Sequence, residues 1–302
     1  MKPNDGKFIP CLSEMLDGFA KDDGPVKKKM PVEVDVPEWI MDLAMQEGAT
    51  AKDVALAELI IIAYYYLLRV GEYTVKATRN NSKQTVNFKV KNATFFGFDA
   101  NGKLVQLPRN APDEVILRAK CGTLTLENQK NGWKGISISH WANDAGPYCP
   151  VLALARRYCH IRAHTSDDST FLCTYFDDGK KGDITNRDVS VALKAAAEAL
   201  NYPLTRGIPV SSVDTHSLRI GGANALSLNG YSKQEIQKMG RWRGETFLEY
   251  IREGLADFSK GMSSKMSKKF GFVSLEGGRY EDVTAETVQR DYEVAVSSAA
   301  AA

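Results

Sequence analysis

THSLRIGGANAL, residues 215–226, sets a histidine and an arginine three positions apart at the head of a segment whose other members are small or apolar. Asp214 or Thr215 can cap a helix here, and Asn229-Gly230 stops it after Leu228. His216 and Arg219 then share one side of its opening turn, and a helix of this composition is expected to be buried. A buried guanidinium without an anion is costly, while a helix N-terminus favours one through its unpaired amides and dipole. A phosphate satisfies both requirements. An internal ion pair from Arg219 to an acid such as Asp214 is the structural alternative.

Downstream, Ser232 and Glu235 have the spacing of a capping box, which predicts a helix over 233–239 ending at Gly240. A further helix follows Gly244. On a wheel of about 100° per residue, Phe247, Leu248, Ile251 and Leu255 occupy one arc and Tyr250 falls well outside it. Upstream, residues 54–68 (VALAELIIIAYYYLL) are apolar nearly all round, as in a helix buried on most faces. The run ends in Arg69, with Glu72 three residues on as its simplest partner. Two arginines brought from different segments can clamp one phosphate in the bidentate geometry that suits a guanidinium.

Between these segments the pattern changes to short runs rich in Val, Thr, Phe and Ile: VNFKV (86–90), ATFFGF (93–98), GTLTL (122–126) and GISIS (135–139). Asp-Ala-Asn-Gly and Lys-Asn-Gly break them, so a small antiparallel sheet with hairpins is expected. Helical patterns return at 150–163 and 187–200, followed by a proline-bearing loop at 203–210. The fold class is therefore α+β, mainly α-helical with a small antiparallel β-sheet.

The chain has 302 residues, 43% hydrophobic and 25% charged, which excludes a disordered chain, a collagen or a coiled-coil rod. Its 39 basic and 37 acidic residues give a net charge of only +2. Position changes that picture: residues 1–50 and 271–302 each carry −4, leaving +10 on 51–270. The excess lies in 51–130 and 203–270, the segments that hold the arginines described above. The first ten residues lack the apolar core of a signal peptide, and the apolar run at 59–68 is far short of the ~20 residues that span a bilayer. An intracellular protein without a membrane partner is expected. Five dispersed cysteines argue for reduced thiols. Cys149, Cys159, His160 and His164 fit no closed zinc pattern, and the segment reads instead as a helix over 151–163 with its cysteine buried. Residues 1–36 are polar and charged, and order is expected to begin near Pro37.

The constellation resembles the catalytic domain of the tyrosine recombinases, DNA breaking and rejoining enzymes that include phage integrases and Cre. LLRVGEYT, residues 67–74, is similar to the family's first arginine box and assigns Arg69, with Glu72 at the supporting acidic position. THSLRIGGANAL is similar to the H-x-x-R box and assigns His216 and Arg219. MGRWRGETFLEYIR, residues 239–252, resembles the closing box, with Trp242 at the position held by His or Trp and Tyr250 as nucleophile. Arg241, nine residues before Tyr250, joins Arg69 and Arg219 as an implied phosphate contact. The hairpin TLTLENQKNGWKGISIS, residues 123–139, supplies the family's lysine as Lys130, with Lys134 in reserve. The wording is closest to recombinases of DIRS-like retroelements and Crypton-type transposons.

The resemblance implies a tyrosine recombinase catalytic domain over 37–270, an acidic tail over 271–302, and in 1–36 a flexible lead-in or the remnant of the helical core-binding domain. It also implies attack of the Tyr250 hydroxyl on a phosphodiester of double-stranded DNA, leaving a 3′-phosphotyrosyl link. Arg69 and Arg219 hold the phosphate oxygens, His216 is the base, Lys130 protonates the leaving 5′-oxygen and Trp242 donates its indole N–H. No metal, cofactor or ATP is implied. The expected assembly is a monomer that forms a homotetramer on DNA, in the nucleus of a eukaryotic host or otherwise in the cytoplasm. The implied function is site-specific recombination or integration for a mobile element. A type IB topoisomerase-like nicking and resealing enzyme and a non-catalytic domesticated DNA-binding protein are the alternatives.

Overall fold

Thr50 opens the central helix with a reciprocal cap: its hydroxyl accepts the Asp53 amide, and the Asp53 carboxylate takes the Thr50 amide. In the computed structural model, which describes residues 29–75, 85–128, 134–242, 244 and 248, this helix runs Ala51–Tyr65. It is α2, following α1 (Asp35–Ala44). Residues on every face of α2 are buried, among them Ala55, Leu59, Ile60, Ile61 and Ile62. Each buried aliphatic side chain of this size contributes about 1.5–3 kcal/mol relative to exposure. Helix α2 packs against α1, α5 (Pro150–His164), α8 (His216–Leu228) and strand β5 (Thr174–Asp177), so it is the axis of the domain.

The helix ends at Tyr65, three residues short of the predicted Leu68, because Leu67 turns into the left-handed region with φ 48°. The Leu68 amide reaches back to the Ala63 carbonyl at 3.0 Å, the six-to-one bond of a Schellman end. The short helix α3 (Val70–Tyr73) starts immediately afterwards.

Four strands form an antiparallel sheet in the order β2-β1-β3-β4: β1 (Ala93–Phe98), β2 (Leu104–Gln106), β3 (Cys121–Thr125) and β4 (Ser137–Trp141). The Asp-Ala-Asn-Gly turn joins β1 to β2, with Gly102 at φ 74°. The predicted strand at 86–90 does not form. Its backbone groups are committed elsewhere: the Phe88 amide donates to Glu72 O, the Phe88 carbonyl accepts from Leu172 N, and Val90 begins a 3₁₀ turn. Two features were not expected: helix α4 (Asp113–Leu117) and the hairpin of β5 with β6 (Lys180–Asp183). Asp178-Gly179 turns that hairpin with both residues at positive φ.

Helices α5, α6 (Asn186–Ala199), α8 and α9 (Lys233–Gly240) match the predicted spans within one or two residues, and the Ser232–Glu235 capping box forms. The predicted proline-bearing loop contains the short helix α7 (Tyr202–Thr205). Order begins ahead of Pro37: Val32 is fully buried, and its amide donates to Ser217 O of α8. Val32 lies against α8, and Val36 is fully buried as well. Among the described residues no helix is long and apolar enough to cross a membrane.

Candidate active site

Helix α8 approaches the end of α2 as closely as backbone allows. A Cβ on Gly222 would lie 2.5 Å from Leu67 Cδ2 and closer still to the Tyr64 carbonyl oxygen, and one on Gly221 would strike the Val32 carbonyl. The two glycines therefore set the depth at which Arg219 enters the interior.

Arg219 and Arg241 are both almost fully buried. Arg219 donates from Nη1 to the Leu67 carbonyl and from Nη2 to the Gly240 carbonyl, with its guanidinium carbon 4.2 Å from the centre of the Trp242 ring. Arg241 donates to Tyr66 O and Leu67 O, each at 3.2 Å, and to Glu72 Oε2 at 2.8 Å. His140 of β4 holds Tyr65 O through Nε2 at 2.8 Å. Three successive carbonyls at the C-terminus of α2 thus face cationic or N–H donors. The negative end of the helix dipole offsets part of the cost of burying two guanidiniums, and the indole face supplies a cation–π contact to Arg219. Two hydrogen bonds of Arg219 go to main-chain oxygens; Asp214 takes the Thr215 amide at 2.7 Å and Lys29 at 3.3 Å.

Glu72 is fully buried and joins the first arginine box to the closing one. Its Oε2 accepts from the Arg69 amide at 2.9 Å and from Arg241, while Oε1 accepts from the Arg69 guanidinium at 3.2 Å. The Arg69 side chain keeps 23% of its surface exposed, against 1% for that of Arg241, so Arg69 is the member of this network that reaches the surface. Burial lowers the His216 pKa below the ordinary 6.5; the charges of Arg219 and then Arg69 lower it further, with Asp214 pulling the other way. The first arginine box and the H-x-x-R box are joined where Arg219 binds the Leu67 carbonyl, two residues before Arg69.

Two of the assigned residues lie deeper than the motifs suggest. Arg241, taken as a phosphate contact, points its guanidinium into the protein, because its backbone caps α9 in the left-handed region at φ 59° and aims the side chain at the end of α2. Trp242 is buried with Leu67, Ala223 and Ile236, its ring lying where a Cβ on Gly240 would fall. It serves as a platform beneath Arg219. Lys134 is exposed beside Gly135, where the β3–β4 hairpin closes through Gly135 N to Leu126 O. Lys130 and Tyr250 lie outside the described residues, as does the helix expected after Gly244 apart from Leu248. The motifs did not mark His140; its position in GISIS-His reads as one more strand residue. Among the described residues no cluster of three or more His, Cys, Asp and Glu side chains could hold a metal. His160 instead accepts the Phe176 amide on Nε2 at 3.1 Å, and Cys149 and Cys159 are buried.

No family model matches the chain and no curated protein matches it. Among solved structures it is similar to the Tn1549 transposon integrase in complex with transposon right end DNA, at 12% identity over 89% of this chain and 73% of that one, with a TM-score of 0.40. It is also similar to the XerA recombinase, at 15% identity over 82% and 67% of the two chains with a TM-score of 0.46. The XerH site-specific recombinase in its post-cleavage complex with palindromic difH substrate gives 13% identity and a TM-score of 0.48, and the chain spans 54% of its length.

Proposed function

We propose that this chain is a DNA strand transferase of the tyrosine recombinase type, acting on double-stranded DNA in the recombination or integration of a mobile element. The observation that carries the reading is that two arginine-bearing segments are joined, Arg219 donating to the Leu67 carbonyl 152 positions away and two residues before Arg69. A guanidinium has five donors in a fixed plane. The two main-chain anchors of Arg219 fix that plane beneath the surface, where its charge is held close by, and Arg69, whose side chain keeps exposed surface, is the donor suited to the non-bridging oxygens of a phosphodiester.

In the reaction the Tyr250 oxygen forms a bond to phosphorus as the bond from phosphorus to the 5′-oxygen breaks. The phenolic proton passes to His216, and a proton from Lys130 or Lys134 goes to the departing 5′-oxygen. A phenol with a pKa near about 10 needs such a base at neutral pH. The lowered pKa of His216 keeps its imidazole neutral and able to serve. Return of a 5′-hydroxyl from another strand reverses the step and reseals the backbone. Exchange between two duplexes calls for four active sites, hence a homotetramer on DNA.

A pool of nicked suicide duplexes with randomised cores tests the proposal. The expected result is a covalent protein–DNA adduct with the wild-type chain that disappears in Tyr250→Phe. Failure of the wild-type chain to form any adduct overturns it.

A further inference from the structure

We infer that Arg241 is a positioning residue that sets the reach of Arg69 through Glu72; the inference rests on the reading of this site as a phosphoryl-transfer centre. The carboxylate of Glu72 lies between two guanidiniums, accepting from Arg241 at 2.8 Å and from Arg69 at 3.2 Å. Arg241 is in turn fixed at its far side by Tyr66 O and Leu67 O, in the turn that leads into Arg69. A shift of Arg241 is therefore transmitted both to the backbone preceding Arg69 and to the acid that holds its side chain.

The local conformation points the same way. Arg241 occupies the left-handed C-cap of α9 at φ 59°, a place where glycine is the unstrained choice. Its Nε is buried without a hydrogen-bond partner. Neither feature suits a residue retained as filler, and both follow if the terminal nitrogens are needed where they are. Shared between two cations, Glu72 holds Arg69 less firmly than it would alone. Removal of Arg241 leaves the full negative charge to Arg69 and draws its guanidinium inward, away from a phosphate.

The experiment uses the full chain with Arg241→Met, which keeps the length and removes the charge, and Arg241→Lys, which keeps the charge and loses the fork. The first readout is residue-resolved labelling of Arg69 by phenylglyoxal, followed by mass spectrometry without DNA. Labelling should slow severalfold in Arg241→Met and partly recover in Arg241→Lys. If Arg241→Met does not fold, Arg241→Lys alone must still label Arg69 more slowly than wild type. Unchanged Arg69 labelling overturns the inference while leaving the proposed function standing. The second readout is the rate of adduct formation on the nicked duplex pool. Arg241→Met should lower it about 10- to 100-fold in the wild-type background and less than about twofold in an Arg69→Ala background, as expected of residues acting in series. An equal loss in both backgrounds overturns the inference. A wild-type chain that makes no adduct refutes the proposed function, and the labelling readout then decides the inference by itself.

Discussion

Replacing Gly222 by alanine adds one methyl group to the face of α8 that meets the end of α2. On an exposed helix that change stabilises by about 1 kcal/mol, since glycine loses more backbone freedom on folding. Here the sign should reverse. The new Cβ would sit 2.5 Å from Leu67 Cδ2, where ordinary contact begins at 3.4 Å, so the elements must separate by about 1 Å. The Tyr64 carbonyl is closer still and belongs to the last turn of a helix, so it cannot rotate away. Overpacking of this kind costs about 1–3 kcal/mol. A shift of Leu67 also weakens the bonds that Arg219 and Arg241 make to its carbonyl, worth about 1.5–3 kcal/mol for a charged donor. Offset by the helix gain, the net loss should be about 1.5–5 kcal/mol. Urea unfolding followed by circular dichroism would show a lower midpoint at an unchanged slope. A Gly222→Ala chain as stable as wild type, or more so, would refute the claim that this glycine sets the depth of Arg219.

Three other outcomes can be measured directly. Glu72→Ala strands the buried Arg241 and should destabilise the chain by about 3–5 kcal/mol in the same unfolding assay; a loss below about 1 kcal/mol would show that the carboxylate is not what balances the cations. The acid limb of the pH–rate profile for adduct formation should have its midpoint below 6.5, because the environment of His216 favours the neutral base; a midpoint above 6.5 would remove His216 as the base. His160 has its pKa lowered to about 4, by burial first and then by Arg157 and His164, so its neutral form belongs to the folded state. Because the unfolded chain binds the proton more readily, the contribution of His160 is present above pH 6.5 and declines as pH falls toward 4. His160→Asn should flatten that part of the stability curve, and an identical slope in the variant would show that another group is responsible.

The spans of α5, α6, α8 and α9 and the Ser232–Glu235 capping box were legible in the sequence because they depend on residues within a few positions of one another. Partners supplied by distant main chain were not. Arg219 invites an anion when read locally, and the carbonyls that hold it belong to Leu67 and Gly240. Gly240 reads as a helix stop, yet the left-handed residue is Arg241; Gly240 is glycine because the Trp242 ring lies against it. That one-residue displacement redirects the Arg241 side chain from solvent to the interior. VNFKV has the composition of a strand, but composition does not reveal that its amides and carbonyls are claimed by Glu72 and Leu172.

The anchors of both buried arginines are carbonyl oxygens, which every amino acid carries. The identities of residues 66, 67 and 240 therefore do not encode the hydrogen bonds they accept; burial at 66 and 67 and the Trp242 ring against 240 are what restrict the side chains there. What the gene must preserve is length. Insertion or deletion of one codon between Tyr65 and Arg69 would rotate the carbonyls away from Arg219 and Arg241 together. This stretch should refuse any change in its number of residues across variants of the chain.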